Sequence, residues 1–105
     1  MTNLRKQRLE QILVDNPNDT FALFALAKEC EKEEDWKGAV QLFERLLVAD
    51  GKYIGAYYHL GKAYEQLEEV KKALNIYERG IVVAQDQNDL HALSELKNAK
   101  MNLMI

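Results

Sequence analysis

The stretch AYYHLGKAYEQL, residues 56–67, has helical spacing and yet carries a glycine in its middle. Glycine inside a helix costs about 1 kcal/mol against alanine, so Gly61 needs a compensating reason. The pair Gly61-Lys62 invites a phosphate-loop reading. That loop requires Ser or Thr after the lysine and a second glycine upstream, and Ala63 and Ala56 stand in those places. The other reason is a point where two helices lie too close for a Cβ.

Working outward, residues 20–53 align on residues 54–87 without a gap, a period of 34 residues. Leu26 falls on Leu60, Ala27 on Gly61, Ala39 on Ala73, Phe43 on Tyr77, Glu44-Arg45 on Glu78-Arg79 and Leu47 on Ile81. Self-similarity at such a period is the signature of a repeat architecture. Each unit reads as two helices. Tyr57, Leu60, Gly61 and Tyr64 share one face at three–four spacing, and after Leu67-Glu68-Glu69 the residues Ala73, Leu74, Tyr77, Gly80, Ile81 and Ala84 form a second stripe. The first unit repeats this with Leu23, Leu26, Ala27 and Cys30, then Ala39, Phe43, Leu46 and Leu47. Asp35 suits the N-cap of its unit's second helix, and Asn18 or Asp19 suits the first, following Pro17.

Tyr57-x2-Leu60-Gly61-x2-Tyr64 followed by Ala73-x3-Tyr77 resembles the tetratricopeptide repeat pattern, with tyrosines in place of the usual tryptophan and phenylalanine. The resemblance covers both units. It implies an all-α fold, a right-handed α-solenoid of antiparallel helix pairs, in which Ala27, Gly61, Ala39 and Ala73 sit where the helices of a repeat approach closely. The first unit departs from the pattern, with Leu23 at the tryptophan place, Cys30 at the tyrosine place and Leu46 where a small residue is usual.

Two repeats leave two ends to cover, and terminal units act as caps. Leu4, Leu9, Ile12 and Leu13 lie just upstream of Pro17 and resemble the second helix of a preceding half-repeat. Downstream, His91-Ala92-Leu93-Ser94-Glu95-Leu96 echoes Gly55-Ala56-Tyr57-Tyr58-His59-Leu60, but 36 residues on instead of 34, with Lys97 at the small-residue place and Lys100 at the tyrosine place. Lysines there suit a solvating cap whose Leu93, Leu96 and Leu103 point inward. The expected organisation is a single domain: capping segment 1–16, repeats 20–53 and 54–87, and capping segment 88–105. The last residues, Leu103-Met104-Ile105, read as a frayed helix end rather than a contact patch.

The chain has 105 residues, 48% of them hydrophobic and 30% charged, with net charge −3. That balance disfavours nucleic acid and anionic membranes as partners. No apolar run approaches the ~20 residues of a membrane span, and cytoplasmic residence is the default expectation. One cysteine excludes an internal disulfide. No catalytic set stands out. His59 and His91 lack a third metal ligand, Cys30 lies on an apolar face, and the acidic run from Glu29 to Asp35 lacks calcium-loop spacing. No enzyme activity, cofactor or metal is expected.

What remains is the concave surface, which in the resembled family is formed by the first helix of each repeat. Here the resemblance places Phe21, Phe24, Ala25, Lys28, Glu31 and Lys32 on it, then Tyr58, His59, Lys62, Glu65 and Gln66, and from the cap helix His91, Ser94, Glu95 and Asn98. Phe21 is equally compatible with packing on the N-terminal helix. The repeated Lys28 and Lys62 suit a partner peptide with apolar side chains and a carboxylate. The lysine–asparagine clamp by which some family members hold chaperone tails is not matched, since Phe24 and Tyr58 stand in its places. The expected function is therefore a non-enzymatic protein-interaction module, an adaptor or scaffold holding a peptide or helical segment in its groove. The alternative is self-association as a homodimer through the apolar C-terminal end or the groove.

Overall fold

The computed structural model describes residues 3–105, which form six helices: α1 (Leu4–Asp15), α2 (Thr20–Lys32), α3 (Trp36–Ala49), α4 (Ile54–Gln66), α5 (Val70–Gln87) and α6 (Leu90–Met104). Met1 and Thr2, part of the expected N-terminal cap, lie outside the described residues. Aspartates open three of the helices: Asp19, Asp35 and Asp89 accept from the backbone N–H of Ala22, Gly38 and Ala92 at 2.9, 3.0 and 3.0 Å. Asn18 is no cap; its own N–H donates to Asn16 Oδ1 at 3.3 Å. The tight turns within the two hairpins are copies of each other. Glu34 (φ 59°) and Glu68 (φ 60°) take left-handed conformations one period apart. Asp35 and Glu69 then donate back to the carbonyls of Cys30 and Tyr64 at 2.8 and 2.9 Å, closing each first helix with a Schellman-type bond.

Each helix packs on the next along the chain, and α4 also touches α6. The fold is an all-α solenoid of stacked helix pairs, 41 × 28 × 19 Å. One core cluster runs from Leu23 to Ala99 through both hairpins, and a smaller one joins Leu9 of α1 to Ala22, Ala25 and Leu26 of α2.

Gly61 sits where α4 and α5 nearly touch. A Cβ there would lie 2.5 Å from Tyr77 Cζ, 2.7 Å from Cδ1 and closer still to Cε1, far inside the 3.5–4.0 Å of an ordinary carbon contact. The seat is reciprocal: a Cβ on Gly80 of α5 would lie 2.7 Å from Tyr57 Cβ and 3.0 Å from Leu96 Cδ1. Each helix thus offers a bare Cα to the aromatic ring of the other. Both rings are pinned at their hydroxyls, Tyr57 donating to the Gly51 carbonyl at 2.6 Å and Tyr77 to the Glu65 carboxylate.

The first hairpin fills the equivalent space differently. At the places of Tyr57 and Gly80 it carries Leu23 and Leu46, both fully buried in the same core cluster. A large–small pair has become two residues of medium size, and the two leucines carry together as many side-chain heavy atoms as the one tyrosine.

Several sequence expectations are corrected here. The stripe on α1 narrows to Leu9 and Leu13, because Leu4 and Ile12 face solvent. On α5 it is Ile76 that is buried, whereas Leu74 is only half-buried. Ala25, placed on the concave surface, is buried against α1 instead. Ala99 joins Leu96 in the core of α6, and that helix runs on through Met104 rather than fraying at Leu103.

Two predictions follow from these packed rings. Gly61→Ala should lower stability by up to about 2 kcal/mol, because overpacking costs roughly 1–3 kcal/mol and the propensity gain of about 1 kcal/mol offsets only part of it. Gly61→Leu should cost more, and chemical denaturation of both variants measures the pair. Burial, followed by the Glu65 carboxylate, raises the Tyr77 phenol, while burial and Glu44 push Tyr64 up to about 12. Raised folded values mean that this contribution to stability is fully present below pH 10, the ordinary tyrosine value, and is lost as pH climbs through the folded values. Tyrosinate absorbance of the folded chain between pH 10 and about 12 should therefore lag behind that of the urea-unfolded chain. Tyr64→Phe and Tyr77→Phe should each remove part of the lag.

Candidate interaction groove

The first helices of successive hairpins, α2 and α4, meet along a seam of rings and paired charges. Phe24 on α2 is half-buried, its ring centroid 5.9 Å from Phe43, 5.2 Å from Tyr53 and 5.7 Å from His59. The His59 imidazole lies nearly parallel to Phe43, 5.8 Å away at 13°. His59 Nδ1 and Glu31 Oε2 are 3.0 Å apart, which ties α4 back to α2. Glu31 also receives Lys28 Nζ at 3.0 Å. Burial alone would raise the Glu31 carboxyl, but the bonds from His59 and Lys28 overcome it and hold the group below its ordinary value.

The same arrangement recurs one period later. Lys62 Nζ lies 3.6 Å from Glu65 Oε2 and 5.5 Å above the Tyr58 ring, and Glu65 accepts from the buried Tyr77 hydroxyl. The Lys-x-x-Glu pairs 28/31 and 62/65 are thus repeat features. In both, the lysine is held beside the glutamate that follows it, so neither ammonium stands alone as a carboxylate receptor. A shallow depression of about 410 Å³ lies against Lys28, Glu29, Glu31 and Lys32.

Of the residues singled out in the sequence, Phe24, Lys28, Tyr58, His59, Lys62 and Glu65 form one connected strip through Glu31. His59 is as much a seam residue as a surface one, with 28% of its side chain exposed. Phe21 is 66% exposed, covered neither by α1 nor by its neighbours on α2. His91, Glu95 and Asn98 are exposed on α6 and, among the described residues, make no hydrogen bond or ion pair to the strip. Tyr53 carried no signal at its own position, since it precedes α4 and is outside any helical stripe. Phe43 was legible only as a residue of its own hairpin's stripe, and it faces the seam as well.

The described residues hold no group of three His, Cys, Asp or Glu able to bind a metal ion. Cys30 is buried, and burial followed by Asp35 raises its thiol above the ordinary value, away from nucleophilic chemistry. No described helix is long and apolar enough to cross a membrane.

The tetratricopeptide repeat profile matches residues 32–96. No curated protein matches the chain. Among solved structures, a tetratricopeptide repeat domain protein from Salinibacter ruber is 42% identical with a TM-score of 0.77, covering 82% of this chain and 97% of its own. A Bordetella parapertussis protein shares 25% identity at a TM-score of 0.83, covering 99% of this chain and 90% of its own. The TPR2B domain of yeast Sti1, solved in complex with pHsp70, superposes at 0.86 with 14% identity, covering 94% of this chain and 79% of that one. With the repeat profile spanning more than half of its residues, the chain belongs to the tetratricopeptide repeat family.

Proposed function

We propose that the chain is a non-enzymatic interaction module that holds a peptide or helical segment of another protein along the face of α2, α4 and α6. The observation that carries this reading is the strip from Phe24 through His59 and Tyr58 to Lys62. It presents half-exposed rings and charges whose positions are already fixed by Glu31 and Glu65. Rings held in place in the free protein lose little entropy when a partner covers them, and aromatic side chains dominate binding hot spots. The paired state of Lys28 and Lys62 modifies the partner chemistry suggested by sequence. An incoming carboxylate must compete with Glu31 and Glu65, so apolar and aromatic contacts dominate the expected affinity. The ligand of the Sti1 domain is not transferred, because a relative at 14% identity carries the fold alone.

Affinity capture with the intact chain, followed by calorimetric titration of the recovered partner segment, tests the groove. Tyr58→Ala and Lys62→Glu should each weaken binding at least tenfold, about 1.4 kcal/mol, whereas Arg8→Ala on exposed α1 should leave it unchanged. Equal binding by all forms would remove the groove assignment.

A second reading, self-association, draws on one specific observation. Met101, Met104 and Ile105 are exposed and line, with Ile81, Lys97 and Lys100, a cleft of about 490 Å³ at the end of α6. On this reading light scattering of the full chain at high concentration reports a dimer, and a chain ending at residue 100 reports a monomer. A monomer in both cases eliminates it.

A further inference from the structure

The 34-residue register relates two clefts on the face opposite the candidate groove. One lies over α4 and includes Glu44, Tyr64, Ile76 and Arg79. The other lies over α2 and includes Glu10, Cys30, Leu42 and Arg45, which are the same four positions one period earlier. In the first the chain fills its own niche. The Tyr64 ring occupies it, with the hydroxyl donating to Glu44 Oε1 at 2.8 Å. At the end of the solenoid the pattern recurs with α6 two residues out of step and a different filler, Lys100, whose Nζ lies 3.5 Å from Glu78.

The niche over Cys30 has neither filler. Its cleft measures about 520 Å³, against about 320 Å³ beside Tyr64. Cys30 lies at its base, and Leu13, Val14, Leu26 and Leu42 supply apolar walls. Glu10 takes part in no hydrogen bond or ion pair among the described residues. The rim cations are committed elsewhere, Lys6 to Glu33 at 3.5 Å and Arg45 to the Pro17 carbonyl at 3.1 Å.

We propose that this cleft between α1 and α3 receives a tyrosine side chain from a partner protein. The ring replaces the one missing at Cys30, and its hydroxyl donates to Glu10 as that of Tyr64 does to Glu44. The chemistry is that of a para-alkyl phenol. Apolar walls bury the ring, a carboxylate accepts from the hydroxyl, and a thiol leaves the space beneath. A second copy does not supply the ring, because Tyr57, Tyr64 and Tyr77 are tied by their hydroxyls to Gly51, Glu44 and Glu65. Tyr53 and Tyr58 are packed against Phe24 and His59 and do not project far enough to enter a cleft.

The test uses the intact chain, with para-cresol as the bare side chain, toluene as the ring without its hydroxyl, and N-acetyltyrosinamide as the protein-like form. Methyl NMR should show para-cresol shifting Leu13, Leu26 and Leu42 while leaving Ile76 of the filled niche unmoved. Glu10→Ala should weaken para-cresol about five-fold and leave toluene unchanged, the loss of one hydrogen bond to a charged acceptor at an open rim. Cys30→Tyr should abolish the shifts, with folding checked by circular dichroism. Tyr64→Cys should create a second site reported by Ile76, so the result does not depend on one variant. The proposal is overturned if para-cresol leaves the three leucines unmoved or binds Cys30→Tyr equally well. It is also overturned if toluene matches para-cresol in both wild type and Glu10→Ala. If para-cresol binds and N-acetyltyrosinamide does not, the partner-tyrosine assignment falls.

Discussion

Everything else in this structure depends on the reciprocal seating of Tyr77 over Gly61 and of Tyr57 over Gly80. It sets the distance between α4 and α5, and so the height of a repeat, the register on which α6 lands and the spacing of the strip on the opposite face. A helix glycine is a liability when judged by propensity alone. Judged by packing it is the only residue that lets a pinned ring lie flat against a neighbouring backbone. The hydroxyl bonds matter as much as the space: a ring tied to Gly51 or Glu65 cannot swing away to admit a Cβ. In the first hairpin Ala27 does carry a Cβ at the equivalent place, and its partner Phe43 has no hydroxyl tether and instead packs its ring toward Phe24 and His59.

Repetition turns such single contacts into a comparison internal to the molecule. Positions one period apart share a backbone environment, so a difference in side chain reports what each copy does with that environment. Leu23 and Leu46 against Tyr57 and Gly80 show the same core position filled by two medium side chains in one copy and by a ring over a bare Cα in the other. Ala25 against His59 shows the same seam position buried under α1 in one copy and stacked on Phe43 in the other. Cys30, Tyr64 and Lys100 beside Glu10, Glu44 and Glu78 show one niche empty, one filled by a ring and one by an ion pair.

The period, the six helices and most of the core were legible in the sequence because burial on one face imposes 3–4 spacing twice in identical form. The misses have a common cause. Every inner helix of a solenoid touches neighbours on two sides, and a single stripe per helix describes only one of them. Ile76 on α5 belongs to the second side, as does Ala25 on α2, while Leu74 falls between the two. Ile12 errs in the opposite direction, since α1 has a neighbour on one side only. The strip itself was legible as a set of positions. Its charge state was not, because whether Lys28 and Lys62 project into solvent or fold back on Glu31 and Glu65 is a matter of rotamer, which spacing does not encode.

The close-approach positions on α1 and α6 constrain how a second copy can stack on the solenoid. Carried back one period, the place of Ala39 and Ala73 becomes Arg5; carried forward 36 residues, the spacing at which α6 echoes α4, the place of Ala27 and Gly61 becomes Lys97. Both are the close-approach positions, where a neighbouring helix demands a small side chain. A copy stacking end-on in the same register would have to bury a guanidinium and an ammonium, like charges each too large for the gap, at a desolvation cost of several kcal/mol per ion. Arg5 is further anchored by Glu29 at 3.2 Å, on its own α2. The exposed Met101, Met104 and Ile105 lie beside Lys97, and any second copy that docks there must approach in a geometry other than that of the repeat.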